Sequence, residues 1–298
     1  MPKENKNIAA SVKERLKNIA KQSDKEFQNL LTQYVSERFL FRLSKSIYAN
    51  NFILKGALLF VAHRINTLRP TRDIDFLGNS ISNDNKDIEI AIKQILKTDF
   101  NDGIRFDTNS INSESIVEDG NYKGVRIKFF AFLENTKVRL QLDIGFGDKL
   151  TTKPLKIDFP TLLDFPSPHI SVYTTETAIA EKFEAIVSLQ LQTSRMKDFY
   201  DIVSFAQNQT FTSVKLLKSI TETFKHRQTN ISHRTTIFSD DFKANKQKHT
   251  QWNAFLNRNK LNTETSFPQI VNKINEFIEP VLLENITKTW DPNKWEWK

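Results

Sequence analysis

Apolar residues recur at intervals of three and four through VKERLKNIAKQ (12–22) and KEFQNLLTQYVSERFLFRLSKSI (25–47), a period that predicts two helices before residue 50. Residues 51–54 read as a short strand or loop leading to Gly56 and an apolar helix, ALLFVAHRI (57–65). A strand is predicted around Asp73–Leu77 and a helix near 86–96, followed by two long alternating segments, GVRIKFFAFLE (124–134) and KVRLQLDIGF (137–146). Beyond residue 172 the period is helical again: TETAIAEKFEAIVSLQ, RMKDFYDIVSFAQ, SVKLLKSITETFK, a stretch near 240–258, and FPQIVNKINEFIEPVLL. These patterns describe an α+β chain: a small mixed sheet with helices, then a helical C-terminal module.

Glycine and proline sharpen that division. All seven glycines fall between residues 56 and 147, which concentrates tight turns in the strand-bearing segment. Four of nine prolines, at 154, 160, 166 and 168, lie in KPLKIDFPTLLDFPSPH. The expected organisation is a core with N-terminal helices over 1–150, a Pro-rich connector over 151–172, and a helical module over 173–298.

The 298 residues contain no cysteine, which excludes thiolate zinc sites, disulfide frameworks and a cysteine nucleophile. The N-terminus lacks an apolar signal region and no run of 18 apolar residues occurs, so no membrane association and a cytoplasmic location are expected. A formal charge of +8 favours polyanionic partners. No GxxxxGK[ST] or GxGxxG stretch is present, so a bound triphosphate would be held by metal and lysine.

The candidate chemistry lies in RPTRDIDFLG (69–78), where two acids follow a turn flanked by Arg69 and Arg72. Side chains alternate across a strand, so Asp73 and Asp75 share one face while Ile74 and Phe76 take the other. In KVRLQLDIGF the apolar set at 138, 140, 142, 144 and 146 leaves Arg139, Gln141 and Asp143 on the opposite face. Were these strands neighbours, three carboxylates would converge, an arrangement suited to Mg²⁺ or Mn²⁺. The alternative is a set of solvated acids on an exposed strand.

Lys182 borders the apolar stripe of its helix, either covering apolar surface with its stem or directing its ammonium at triphosphate oxygens. Asp198 and Asp201 lie three apart on one helical side, and Lys197 with Asp201 has the spacing of an ordinary helix-surface pair.

The series ILKGALLF (53–60), RPTRDID (69–75), LQLDIGFGD (140–148), AEKFEAIV (180–187) and SRMKDFYDI (194–202) resembles the AbiEii/AbiGii toxin family of the DNA polymerase beta-like nucleotidyltransferase superfamily. The likeness spans roughly residues 40–205 and implies a polymerase-beta-like core and an NTP-dependent enzyme of a toxin–antitoxin or phage-defence system. By that resemblance Asp73 and Asp75 form the metal-binding pair and Asp143 is the third carboxylate. Lys182 and Asp198 are the essential lysine and acid, with Arg195 alongside. Lys55 and Gly56 match the turn whose amides meet phosphate, and Thr71 matches a hydroxyl position before the first acid. Ala57 and Leu58 depart from the family's second glycine and hydroxyl. The implied reaction transfers a nucleotide from NTP to RNA, at the tRNA 3′ end in some members, and the implied partners are RNA and a cognate antitoxin. A non-catalytic nucleotide- or RNA-binding regulator and a small-molecule nucleotidyltransferase are the other readings.

For the acceptor, residues 215–260 hold ten Lys or Arg against three acids, including Lys225, Arg227, Arg234, Lys246 and Lys248. With Phe224, His226, Phe238, His249 and Trp252 interleaved, the segment can hold a phosphate backbone and stack a base, or form a solvated exterior with its aromatics turned inward. The ending WDPNKWEWK, with three of four tryptophans, reads as a docking strand, a partner interface or a tail packed on the core.

Overall fold

Val125, Ile127, Phe129, Ala131 and Leu133 share one side of β4 (Lys123–Leu133), Val138, Leu140, Leu142 and Ile144 share one side of β5 (Thr136–Gly145), and all nine are buried. That alternation builds a sheet with one core face and one open face. In the computed structural model, residues 7–23, 25–65, 71, 73–117, 123–148, 150, 152–261, 263–283 and 287–298 are described. Arg69 and Arg72 lie outside them.

The sheet has seven strands in the order β3-β4-β5-β2-β1-β7-β6, with β1 at Phe52–Lys55, β2 at Asp73–Gly78, β3 at Ile104–Val117, β6 at Leu155–Asp158 and β7 at His169–Val172. The β2·β5 and β1·β7 pairs are parallel and the others antiparallel, so the sheet is mixed. Helices α1 (Ile8–Gln22), α2 (Phe27–Lys45), α3 (Leu58–Ala62) and α4 (Asn85–Lys97) accompany it. Phe39 of α2 packs its ring against Phe76 and Phe129 on the core face.

Three strands escape the sequence patterns. β3 is mostly polar and kinks at a register shift between Asp107 and Asn112, so it shows neither alternation nor an apolar run. Strands β6 and β7 fall where the Pro-rich connector is expected. Their prolines lie outside the strands, where no ladder hydrogen bond is lost, and residues 155–158 and 169–172 of the connector pair into the sheet. The expected helix from Ala57 to Ile65 closes after five residues, α3 ending at Ala62.

The described residues cluster as two units: 7–64, 71–148 and 154–172 in one, and Ile65, 149–153 and 173–298 in the other. The second holds α5 (Thr175–Leu189), α6 (Met196–Asn208), α7 (Ser213–His226), α8 (Arg234–Phe238), α9 (Asp240–Lys243), α10 (Lys246–Arg258) and α11 (Phe267–Leu283). A hairpin of β8 (Trp290–Asp291) and β9 (Glu296–Trp297) closes the chain. Its indoles donate to helix carbonyls, Trp290 to Ala206 at 2.7 Å and Trp297 to Phe277 at 2.9 Å, so the tryptophan-rich ending is a tail packed on its own unit.

One buried acid makes the first unit sensitive to pH. Glu37 of α2 is fully buried and accepts hydrogen bonds from Leu162 N (3.0 Å) and Gln33 Nε2 (3.1 Å). Burial pushes its carboxyl up to about 7, against the opposing pull of the Leu162 amide and the Arg38 charge. A carboxyl that titrates higher folded than unfolded favours the protonated state in the fold. Its contribution is present below its ordinary value near 4.5 and lost as pH rises through about 7. Melting curves between pH 4.5 and 7.5 should therefore show wild type losing on the order of 3 kcal/mol from this group. Glu37→Gln should flatten that slope; an unchanged slope would assign the pH dependence to other groups.

Candidate active site

Ile74 and Phe76 bury one side of β2 and leave Asp73 and Asp75 on the open face. Register then decides their neighbours. Lys55 of β1 opposes Asp75, Asp75 opposes Asp143 of β5, Asp143 opposes Arg126 of β4, and Arg126 opposes Glu114 of β3. Five charged side chains thus form one row across five strands, with Asp73 and Gln141 opposed in the row beside it. Lys55 lies 3.5 Å from Asp148, just past the end of β5, and the Thr71 hydroxyl donates to the Asp73 carbonyl at 3.1 Å, fixing the entry to β2.

Gly56 is required beside this row for two reasons. Its φ of +70° lies in the left-handed region that side chains disfavour, and a Cβ there would sit 1.9 Å from the Asp75 Oδ2. The backbone at the turn touches the carboxylate directly. Gly56→Ala should displace Asp75 and lower kcat by about 10²-fold, the size expected for an ångström-scale misplacement of a reacting group. Steady-state kinetics alongside a melting curve test this; wild-type kcat would show that Asp75 tolerates the shift.

The residues fit a hard divalent cation through two carboxylates. Asp73 and Asp75 share a strand face, their donors are all oxygen, and magnesium is commonly held by one or two carboxylates with substrate phosphates completing its shell. Asp143, the expected third ligand, has an arginine partner on the neighbouring strand. Both of its oxygens accept from Arg126, Nε to Oδ1 and Nη2 to Oδ2, each at 2.8 Å, in a bidentate fork. Hydrogen bonding to Asp143 raises the Arg126 pKa further, so the pair is strongly held. Among the described residues no group of three or more His, Asp or Glu side chains is arranged to hold a metal. Arg126 is the residue that sequence reasoning missed. Its signal is parity, since Arg126 stands on the open side of GVRIKFFAFLE just as Asp143 does in KVRLQLDIGF.

In the second unit Lys182 projects from α5 and donates to two fully buried carboxylates of α6, Asp198 at 2.9 Å and Asp201 at 2.8 Å. Arg195, just before α6, adds its Nε to the other oxygen of Asp198. Burial alone would raise the Asp198 carboxyl, but the charges of Lys182, Arg195 and Lys197 outweigh it and hold it down at about 2. The spacing of Lys197 and Asp201 suggests a surface pair; the structure directs Asp201 to Lys182 instead.

The five candidate RNA-contacting residues divide. Lys225 and Lys246 are exposed. Arg227, Arg234 and Lys248 correct the expectation, because each is drawn inward by an acceptor in its own unit. Arg227 is buried against Glu184 at 2.8 Å, Arg234 forks onto Glu279 at 2.9 and 3.1 Å, and Lys248 is buried with its ammonium on the Thr193 carbonyl. The interleaved aromatics are core as well: Phe224 and Phe238 pack on Phe183, and Trp252 is buried with its indole donating to Thr265.

A mixed sheet carrying an Asp-x-Asp strand against a glycine turn, with a helical C-terminal part, defines a nucleotidyltransferase. The chain belongs to the nucleotidyl transferase AbiEii toxin family of type IV toxin–antitoxin systems, whose family model matches residues 38–273. Membership in such a family implies a cognate antitoxin. Among solved structures, the chain is similar to MenT4, a nucleotidyltransferase toxin from Mycobacterium tuberculosis H37Rv, at 16% identity and a TM-score of 0.52 over 92% of this chain and 97% of that one. It is also similar to JHP933 from Helicobacter pylori, at 13% identity and a TM-score of 0.49 over 85% and 94% of the two chains. No curated protein matches the chain. Among the described residues no helix is long and apolar enough to cross a membrane.

Proposed function

We propose that the protein transfers a nucleoside monophosphate from NTP to an RNA hydroxyl, at the 3′ end of tRNA, releasing pyrophosphate. The observation that carries this reading is the open-face pair of Asp73 and Asp75, with Asp75 against the Gly56 backbone and in register between Lys55 and Asp143. Asp73 and Asp75 would hold Mg²⁺ or Mn²⁺, which when bound supplies positive charge against the triphosphate. Lys55, with Asp148 beside it, and the Gly56 turn offer a cation and backbone amides to phosphate oxygens. Arg126 keeps the Asp143 charge compensated, which leaves the cation to the β2 pair. In the second unit, Asp198 and Asp201 hold the Lys182 ammonium and Asp198 also takes Arg195, a built cluster around the lysine and acid that the family resemblance marks as essential.

The test is incubation of the purified protein with total bacterial RNA, Mg²⁺ and each α-³²P-labelled NTP in turn, resolved on a denaturing gel. A labelled tRNA-sized band with at least one NTP is expected. Intact RNA that takes up no label with any of the four NTPs would overturn the RNA acceptor.

A further inference from the structure

The open face of the sheet continues past the aspartates, and its composition changes along the strands. Register sets it in rows across β5, β4 and β3: Asp143, Arg126 and Glu114, then Gln141, Lys128 and Asn112, then Arg139, Phe130 and Asp107, and last Lys137, Phe132 and Arg105. The first two rows are neutralised internally, Arg126 by Asp143 and Glu114, and Lys128 by Glu114. The last two carry a surplus of cations. Arg105, Lys137 and Arg139 are exposed, and among the described residues none of them has a carboxylate within ion-pairing distance.

Two aromatic rings lie in these same rows. Phe130 and Phe132 are half-exposed, whereas Phe129, the residue before Phe130, turns to the core and packs on Phe39 and Phe106. The rings on the open face instead lie under cations, with the Lys137 Nζ 3.5 Å from the Phe130 centroid and the Arg105 guanidinium 4.4 Å from that of Phe132. An aromatic ring beneath an exposed cation is a surface on which a planar base can stack, displacing the cation or lying beneath it. From Asp143 to Lys137 is six residues, or about 20 Å of strand.

We propose that single-stranded RNA lies along β4 and β5, with its terminal hydroxyl at Asp73 and Asp75, unpaired bases stacked on Phe130 and Phe132, and phosphates met by Arg139, Lys137 and Arg105. This inference rests on the RNA acceptor of the preceding reading and moves its footing from the basic 215–260 segment to the sheet. Stacking on Phe is tolerant of sequence because every base has a π-face, and it requires unstacked bases, so a duplex is a poor ligand for this surface.

Fluorescence anisotropy of the full chain with a labelled single-stranded oligoribonucleotide, and with a blunt duplex of the same sequence, tests the inference. Wild type should favour the single strand. Phe130→Ala should weaken single-strand binding about tenfold and leave duplex binding unchanged, and Arg139→Gln should flatten the salt dependence by about one phosphate contact. Phe130→Leu keeps apolar volume without a π-face and should show the same loss with a wild-type melting temperature, which separates stacking from folding. Wild-type binding by the Phe130 and Arg139 variants overturns the inference. If those variants bind as wild type and Lys225→Gln and Lys246→Gln lose binding instead, while wild type still labels RNA, the RNA acceptor stands and only its footing moves. A wild type that neither binds nor labels RNA removes both.

Discussion

Asp75→Asn should reduce nucleotide transfer by at least about 10³-fold while leaving the fold intact. The substitution is nearly isosteric, so the close approach of Gly56 to the side chain is preserved and no cavity opens. What disappears is one formal negative charge in the row that runs from Lys55 to Glu114. Its like-charged neighbour Asp143 already has a partner in Arg126, so losing that charge relieves repulsion and costs the fold little, within roughly 0.5 kcal/mol. The measurement pairs pyrophosphate release with a melting curve. Full activity at a wild-type melting temperature would remove Asp75 from the machinery and with it the two-carboxylate cation site.

Lys182→Met should act on stability and turnover together. Methionine matches the lysine stem but leaves two fully buried carboxylates with one cation fewer. Stranding a buried charge costs about 3–5 kcal/mol, and Arg195, paired with Asp198, offsets part of it. The pH dependence carries the diagnostic sign. In wild type the Asp198 carboxyl is held at about 2, below its ordinary 3.8, so its stabilising contribution is complete above about 3.8 and lost as pH falls through about 2. Without Lys182 that carboxyl titrates higher, so acid unfolding should begin at higher pH. Adding Asp201→Asn should recover part of the lost stability by removing the stranded charge. Denaturant titrations from pH 3 to 8 read all of this, and a Lys182→Met chain as stable as wild type at every pH would contradict the buried pairing.

Much of the site was legible because alternation in a strand is a local property. Ile74 and Phe76 mark the core side of β2, so the strand pattern alone turns Asp73 and Asp75 to the open face. The same parity holds for Asp143 on β5 and for Arg126 on β4. The cluster of Lys182, Asp198 and Asp201 was half legible: helical spacing puts the two acids on one side of α6, but that they close on a lysine of α5 depends on how two helices pack. The basic segment misled for a physical reason. Charge counts record residues without their partners, and Arg227, Arg234 and Lys248 meet Glu184, Glu279 and the Thr193 carbonyl from elsewhere in the chain.

By itself the sequence determined which side chains each strand and helix turns inward, where glycine permits a left-handed turn, and that the donors available to a cation are oxygens. These follow from periodicity and residue chemistry, both set within a few positions. Tertiary structure alone decided which strands are neighbours, and therefore that Arg126 pairs with Asp143 beside the carboxylates of β2. It also decided that a polar, bulged β3 completes the open face and that Phe130 and Phe132 lie beside exposed cations. Register joins residues far apart in sequence, and the free energy that selects it is summed over a whole packed face.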